Sequence, residues 1–155
     1  MRVVSLVLCA SAVAVALPQT AAAQVASSQA VKWGPGPDFL PAHARLAVMQ
    51  GDPGKSGLFT IRLRLPNGYT VKSHSHPTDE QITVLSGTFL VGMGDTFNVR
   101  HAQRLAAGGF MTVPADAHHF ATARGLTTLQ IHGEGPFVIT YVKDTDDPRH
   151  KKATP

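Results

Sequence analysis

The stretch from Gly68 to Gly87, GYTVKSHSHPTDEQITVLSG, constrains the fold of this chain more than any other. It contains two histidines, His74 and His76, two positions apart. Side chains at this spacing share one face of a β-strand, whereas on a helix they point in different directions. The spacing therefore predicts a strand that presents both imidazoles on the same face.

A carboxylate follows this strand closely. Pro77 ends the strand, a short turn is predicted after it, and Glu80 opens the next apolar run. We expect a hairpin, which would return Glu80 to the side of His74 and His76. Neutral imidazoles and a carboxylate are suitable ligands for first-row divalent metals, so the pattern indicates a metal site. The alternative is a surface hairpin that carries two histidines without a metal.

The same stretch resembles the first signature of the cupin superfamily, in which Gly, His-x-His, Glu and a second Gly recur at fixed spacing. The fixed positions are all filled here, by Gly68, His74, His76, Glu80 and Gly87. The second family signature is matched in part, by Gly108, Pro114 and His119. Asp116 stands where the family usually has Gly, and Ala123 where it often has Asn. Because Asp tolerates the turn conformations that Gly favours, the loop is expected to survive the first change.

The resemblance covers about residues 58–142 and implies a fold and a cofactor. The implied fold is all-β, a cupin-type double-stranded β-helix or jelly-roll barrel. The implied cofactor is one divalent transition metal, with Fe, Mn, Ni, Cu, Co and Zn all open. The implied ligands are His74, His76, Glu80 and His119. His118 is only a second choice, because it should point away from its neighbour's face.

The pattern of the rest of the chain favours an all-β fold. Many short alternating runs, without internal repeats or a long helical pattern, favour a barrel or sandwich. The barrel domain is predicted at residues 46–145, after a lead-in at 24–45 and before a polar tail at 146–155. The connection at 94–109 is expected to hold a short helix or to act as a lid.

Three further residues are candidates for substrate binding or for supporting the metal ligands. By the strand period, Lys72 should share the inward face of His74, with its ammonium group in water at the barrel mouth. Gln130 and His132 alternate with two apolar residues in a later strand. Periodicity does not show which face of that strand is inside, so this polar pair faces either the cavity or the solvent.

Composition and motifs narrow the class of function. The formal net charge is +4, but the basic residues are scattered rather than arranged as a stripe with aromatics, so no nucleic-acid partner is expected. No Ser-His-Asp or Cys-His nucleophile set is visible, so any catalysis should run through the metal. By analogy with related cupins, the first hypothesis is a metal-dependent enzyme with dioxygenase-type chemistry on a small oxygen-rich molecule. The alternatives are a non-catalytic module that binds a metal or small ligand, and a structural cupin with a vestigial site.

The pattern around His119 also suggests a homodimer. Phe120 should point to the face opposite His119, outside the barrel. A large apolar side chain there needs a partner subunit or some other cover.

Residues 1–23 are typical of a secretory signal peptide. One Arg precedes an apolar core from Val3 to Leu17, and Ala21 to Ala23 form a small-residue cleavage site. The apolar core is shorter than the ~20 residues that a membrane span needs, so no stable membrane insertion of the mature form is expected. The mature protein is therefore expected in the periplasm or outside the cell.

Export should produce a chain that starts at or near Gln24, because cleavage is expected after Ala23. The intact mass of protein recovered from the periplasm or the medium of a bacterial host measures this directly. A mass that retains Met1 to Ala23 would contradict the prediction.

Overall fold

Nine β-strands and short 3₁₀ turns make up the part of the chain that the computed structural model describes, which is Val25, Ser27 and residues 31–150. The predicted signal peptide lies outside the described residues. Within them, no helix has the length and apolar character needed to cross a membrane. The predicted all-β class is confirmed.

The strands are short at the ends of the chain and long at its centre. In chain order they are β1 (Gly34–Pro35), β2 (Arg45–Gln50), β3 (Gly57–Leu65), β4 (Thr70–Ser75), β5 (Glu80–Met93), β6 (Gln103–Ala106), β7 (Phe110–Val113), β8 (His119–Gly135) and β9 (Thr140–Tyr141). The 3₁₀ turns are Val99–His101, Asp144–Asp146 and Pro148–His150.

The two long strands, β5 and β8, join the two sheets of the jelly roll because each contributes to both. The first half of β5 pairs with the second half of β8, and this pair lies between β7 and β3, with β2 and β1 beyond β3. The second half of β5 pairs with the first half of β8, between β6 and β4, with β9 beyond β4. Every pairing is antiparallel.

Gly87 lies where β5 passes from one sheet to the other. The pairing of β5 with β8 shifts register around Ser86, and Gly87 has a φ of 81°, in the left-handed region. An added Cβ at Gly87 would also come within 2.6 Å of the carbonyl oxygen of Leu126. Only glycine meets both requirements, so this position of the first signature has a structural cause.

Alternating side chains of the strands fill the barrel, as the sequence pattern of β3 predicts. The buried face of β3 consists of Phe59, Ile61, Leu63 and Leu65. Arg62 and Arg64 lie on its outer face. The guanidinium of Arg64 lies 4.2 Å from the ring centroid of Trp33, so this aromatic side chain covers the outside of the barrel.

The predicted hairpin between the two halves of the first signature is wrong. Strand β4 pairs with β8 and β9, whereas the start of β5 pairs with β7 and β8. The two strands therefore belong to opposite sheets, and the residues after His76 lead from one sheet to the other. Glu80 returns to the histidines because the sheets face each other across the interior.

The connection at 94–109 packs on the outer surface. It contains a 3₁₀ turn, capped by the Asn98 side chain, and strand β6. The ring of Phe97 lies 5.0 Å from the ring of Phe120, which is 1% exposed. The cover that Phe120 needs therefore comes from its own chain, and the reason given above for a homodimer is removed.

The segment at 36–44 closes over the barrel. Leu40 and Ala44 are buried in it. The hydroxyl of Tyr69 donates to the carbonyl oxygen of Pro41 at 2.6 Å, and the hydroxyl of Tyr141 donates to that of Phe39 at 2.8 Å. Burial raises the pKa of both tyrosines, so both phenols remain protonated donors.

The Gly92→Ala substitution is expected to destabilise the fold by about 1–3 kcal/mol, because an added methyl group would overpack a buried, closely packed contact. A Cβ at Gly92 would lie 2.1 Å from the ring of Phe120, which is held in place on the outer side of the sheet. Chemical unfolding of the variant and the wild type measures the difference.

Gly34→Ala is the matched control. A Cβ there would have its nearest contact at 3.8 Å, and neither glycine has a left-handed φ. We expect this variant to unfold within about 0.5 kcal/mol of the wild type. Equal stability of the two variants would contradict the role given to Gly92.

Candidate metal centre

Four buried polar side chains meet at one point inside the barrel. One nitrogen from each of His74, His76 and His119 lies within 4.8 Å of the others. Oε2 of Glu80 lies 3.5 Å from Nε2 of His76 and 3.4 Å from Nε2 of His119. All four residues are at most 6% exposed. The structure therefore brings together the four residues that the two signatures indicated.

The strand pairings explain how these side chains converge. His74 in β4 is directly opposite His119, the first residue of β8, and Glu80 is the first residue of β5. His76 follows the last residue of β4 and keeps the inward direction of His74. The ends of three strands thus supply the site: β4 and the start of β8 lie in one sheet, and the start of β5 lies in the other.

The three imidazoles are oriented by hydrogen bonds to the backbone. Nδ1 of His74 lies 2.6 Å from the carbonyl oxygen of Lys72, and Nδ1 of His119 lies 3.1 Å from that of Ala117. Nδ1 of His76 lies 2.8 Å from the carbonyl oxygen of Val138. A carbonyl oxygen can only accept, so each Nδ1 carries the proton. In the neutral form of each ring, Nε2 is then an unprotonated lone-pair donor.

One of these nitrogens has no partner. Nε2 of His76 is buried and makes no hydrogen bond to any residue that the structure describes. Buried polar atoms are nearly always satisfied, so an exception calls for a physical cause, such as a bound ion. The ring is also fixed by the side chain of Phe137, stacked on it at 4.7 Å between centroids. The donor set of three such nitrogens and one carboxylate fits a divalent first-row metal.

The electrostatics of the cluster favour the metal-binding protonation states. Burial, followed by the neighbouring His119 and His76, lowers the pKa of His74 to about 3. Burial also lowers the pKa of His76. For Glu80, burial alone would raise the pKa of the carboxyl, but a hydrogen bond from His119 and the charges that the three histidines carry when protonated bring it below its ordinary value. Neutral imidazoles and an ionised carboxylate are the forms that bind metal.

Lys72 does not point into the barrel, which corrects the expectation from the strand period. The pairing of β4 with β8 shifts register between Val71 and His74, so the strand bulges there. As a result, Val71 and His74 both line the interior although they are three residues apart. Lys72 is exposed, and its Nζ lies 4.4 Å from the ring centroid of Phe97 on the outer surface.

Gln130 and His132 also lie on the outside of the barrel, so the open question about this strand is decided in favour of the outer face. Nε of Arg62 donates to Oε1 of Gln130 at 2.9 Å. Oγ1 of Thr60 lies 3.0 Å from Nδ1 of His132, and the amide nitrogen of Gln130 lies 3.2 Å from Nε2 of His132. These side chains form a hydrogen-bonded row across β3 and β8 and do not contact the candidate site.

His118 points outward, as the alternation predicts. It is exposed, and its Nδ1 lies 2.6 Å from Oδ1 of Asp95. The residues that sequence reasoning missed are those that close the site, namely Leu40, Phe137 and Ile139. Leu40 lies in a Pro- and Gly-rich segment without periodicity, whereas Phe137 and Ile139 lie in a short apolar run, in which alternation does not show which face is inside.

Comparison with known proteins identifies the architecture. No family model matches the chain, and no curated protein matches it. Among solved structures, the polyketide cyclase RemF from Streptomyces resistomycificus is similar at a TM-score of 0.65, with 14% identity over 80% of this chain and 88% of that one. A candidate acetylacetone dioxygenase from Methylibium petroleiphilum is similar at 0.63, with 19% identity over 85% and 89%.

A third structure carries the family's name. It is an RmlC-like cupin from Shewanella frigidimarina, similar at a TM-score of 0.55, with 16% identity over 70% of this chain and 87% of that one. The chain has the cupin fold. The resemblance carried by the two signatures is thus confirmed at the level of architecture.

The metal-free form of the protein should lose stability as the pH falls below about 6.5. Unfolded His74 titrates near its ordinary value of ~6.5, whereas in the folded state it titrates at about 3. Between these values the unfolded chain binds one more proton at this residue. His74 alone should therefore lower the free energy of unfolding by about 1 kcal/mol per pH unit in that window.

Urea unfolding of metal-free protein between pH 7.5 and 5 tests this expectation. His74→Phe should show a shallower pH dependence than the wild type, because one titrating group is gone. His118→Phe is the control, since its ring lies on the outer surface and the slope should remain that of the wild type. If the free energy of unfolding changed equally with pH in all three proteins, His74 would not be the group that causes the pH dependence.

Proposed function

We propose that this cupin is a metal-dependent enzyme that acts on a small oxygen-containing molecule. One divalent transition metal would be held by His74, His76, Glu80 and His119. The observation that carries the proposal is the unpartnered Nε2 of His76, which faces the other two imidazoles and a carboxylate in a buried site. When bound, such an ion supplies Lewis-acid or redox chemistry.

The protein's own residues would prepare the site for that ion. The backbone carbonyls of Lys72, Ala117 and Val138 hold the Nδ1 protons, so the imidazoles need no tautomer change on binding. Glu80 contributes a single negative charge. The surrounding apolar wall excludes water, which strengthens every electrostatic interaction inside.

Dioxygenase-type chemistry is the first hypothesis for the reaction. A candidate acetylacetone dioxygenase is among the similar structures, and it covers most of both chains. The similar structures also include DMSP lyases and an oxalate oxidase, so the fold accommodates several reactions. Oxygen consumption by Fe(II)-loaded protein is measured with each candidate substrate. Substrate loss is measured in parallel with and without dioxygen, and loss that requires dioxygen supports this reaction type.

The second candidate function is a non-catalytic module that binds a metal or a small ligand. The observation that favours it is the closure of the site, whose four polar residues are all less than 7% exposed. A protein that binds metal and ligand tightly but shows no turnover with or without dioxygen would support this function. A vestigial site is disfavoured, because all four side chains still converge.

We further propose that the protein acts in the periplasm or outside the cell. The support is the signal-like sequence at 1–23 described above. Removal of that segment would also remove Cys9, which is the chain's single cysteine. The mature form would then depend on packing and on its metal rather than on disulfides.

The wild type is expected to bind about one divalent transition metal per chain, and His76→Ala and His119→Ala are expected to be mostly metal-free. Each substitution removes one of four ligands from a preformed site, and the remaining three cannot compensate inside the barrel. Elemental analysis of the proteins, purified side by side, gives the metal content directly.

His118→Ala is the matched control. It removes the adjacent imidazole, which lies on the outer surface beside Asp95, so the metal content should equal that of the wild type. If His118→Ala lost the metal while His119→Ala kept it, the register assigned to β8 would be wrong. A wild type that takes up no metal under any loading condition would remove the proposed function.

A further inference from the structure

The interior beside the candidate metal centre is a small cavity of about 40 Å³. Eleven of its sixteen lining residues have hydrocarbon side chains, and four others are the proposed metal ligands. The remaining one, Tyr69, directs its hydroxyl to the carbonyl oxygen of Pro41. A molecule in this cavity therefore meets polar groups at one end only.

Among the described residues, those that line the cavity include no lysine, arginine, asparagine or glutamine. A hydroxyl or a second carboxylate at the far end of a ligand would lose its water without gaining a partner. Burial of such a group is unfavourable, and that of an unpaired charge is far more so. The cavity thus selects against polyols and dianions, while it tolerates methyl and methylene groups.

The charge of the centre sets the preferred head group. A divalent ion held by three neutral imidazoles and the Glu80 carboxylate carries a net charge of +1. A head group with one negative charge would neutralise it, and the cavity offers no compensation for another. A monoanionic head with a hydrocarbon remainder fits both requirements.

We propose that the ligand of this cupin is a compact molecule whose oxygen atoms lie at one end and whose other end is hydrocarbon, and that Leu40 limits its size. This inference rests on the proposed function and narrows its substrate class. It also restricts the oxygen-rich molecule of the first hypothesis, because the oxygens must be gathered at the metal.

Leu40 is suited to this role because it comes from outside the barrel strands and is fixed on both sides. It is the one cavity-lining residue from the segment at 36–44. The carbonyl groups before and after it, those of Phe39 and Pro41, accept the hydroxyl hydrogen bonds of Tyr141 and Tyr69. The backbone nitrogen of Leu40 donates to the carbonyl oxygen of Pro37 at 3.0 Å.

The cavity, which the four proposed metal ligands also line, is small. A water needs about 10–15 Å³ of such volume, so 40 Å³ corresponds to roughly three waters, and a ligand with a short tail fits better than one with a long tail. Shortening Leu40 to Ala would add space at the closing segment without changing any proposed metal ligand. Longer hydrocarbon chains should then fit.

The test of polarity uses two 2-oxo acids of equal size and charge, 2-oxopentanoate and 4-hydroxy-2-oxobutanoate, which differ only by a terminal methyl or hydroxyl group. Both are titrated into Ni(II)-loaded protein by calorimetry, and thermal unfolding gives an independent readout. We expect 2-oxopentanoate to bind at least tenfold more tightly. Equal or tighter binding of the hydroxyl compound would overturn the inference, as would a failure of 2-oxopentanoate to bind.

The test of size uses 2-oxoheptanoate, which is two methylenes longer. The wild type should bind it at least tenfold more weakly than 2-oxopentanoate, and Leu40→Ala should remove most of that difference. Leu58→Ala is the control, because this leucine is 77% exposed and lines no part of the cavity. Leu40→Val provides a milder change if the alanine variant does not fold.

An unchanged preference in both Leu40 variants would overturn the role of Leu40. The metal content of each preparation is measured first, so the two levels of the hypothesis separate. A protein that takes up no metal contradicts the proposed function together with this inference. A metal-loaded protein that binds the hydroxyl compound as well as the methyl compound contradicts the inference alone.

Discussion

The candidate centre depends on three hydrogen bonds that join imidazole Nδ1 atoms to backbone carbonyl oxygens. Two acceptors, the carbonyls of Lys72 and Ala117, lie two residues before the histidines they hold, so local strand geometry places them. The third acceptor, Val138, is distant in sequence and orients His76 from the segment that leads to β9. Because a carbonyl cannot donate, these bonds leave every Nε2 free to face the same point. The order of the segment at 137–141 is thus coupled to the order of the centre.

The jelly roll provides the rest of the geometry by placing strand ends from two sheets around one interior. Strands β5 and β8 pass through both sheets, and Glu80 and His119 are their first residues. The bulge in β4 then adjusts the direction of His74 relative to Val71. A uniform alternation would have placed Lys72 on the inward side. The bulge replaces that charge with apolar surface, which is why the cavity beside the centre is hydrocarbon rather than ionic.

Local spacing predicted what depends on local geometry. The period of two brought His74 and His76 together, separated His119 from His118, and assigned the faces of β3 correctly. The hairpin expected before Glu80 was wrong because strand pairing is non-local, and the two halves of the signature pair with different strands. The outer position of Gln130 and His132 was open for a related reason, since alternation distinguishes two faces but not which is inside.

The position of the segment at 36–44 could not be predicted from sequence patterns for a different reason. Leu40 lies among prolines and glycines, where no period assigns a direction. Its position depends on hydrogen bonds from Tyr69, just before β4, and from Tyr141 in β9. Such a segment contributes little surface, yet it decides how much space remains beside the proposed metal. Specificity in this protein would therefore depend on a part of the chain that carries none of the residues of the two cupin-like signatures.

The cluster has an energetic consequence for the whole fold. A buried carboxylate and three buried imidazoles lose hydration, and the low pKa of His74 reflects that loss. Without a metal, protonation of the unfolded chain draws the equilibrium away from the folded state as the pH falls. An ion that binds the neutral imidazoles and the carboxylate stabilises only the folded arrangement, since the unfolded chain has no preformed site. The same four residues that weaken the metal-free barrel would then stabilise the metal-bound one, so that metal occupancy and fold stability are a single linked equilibrium.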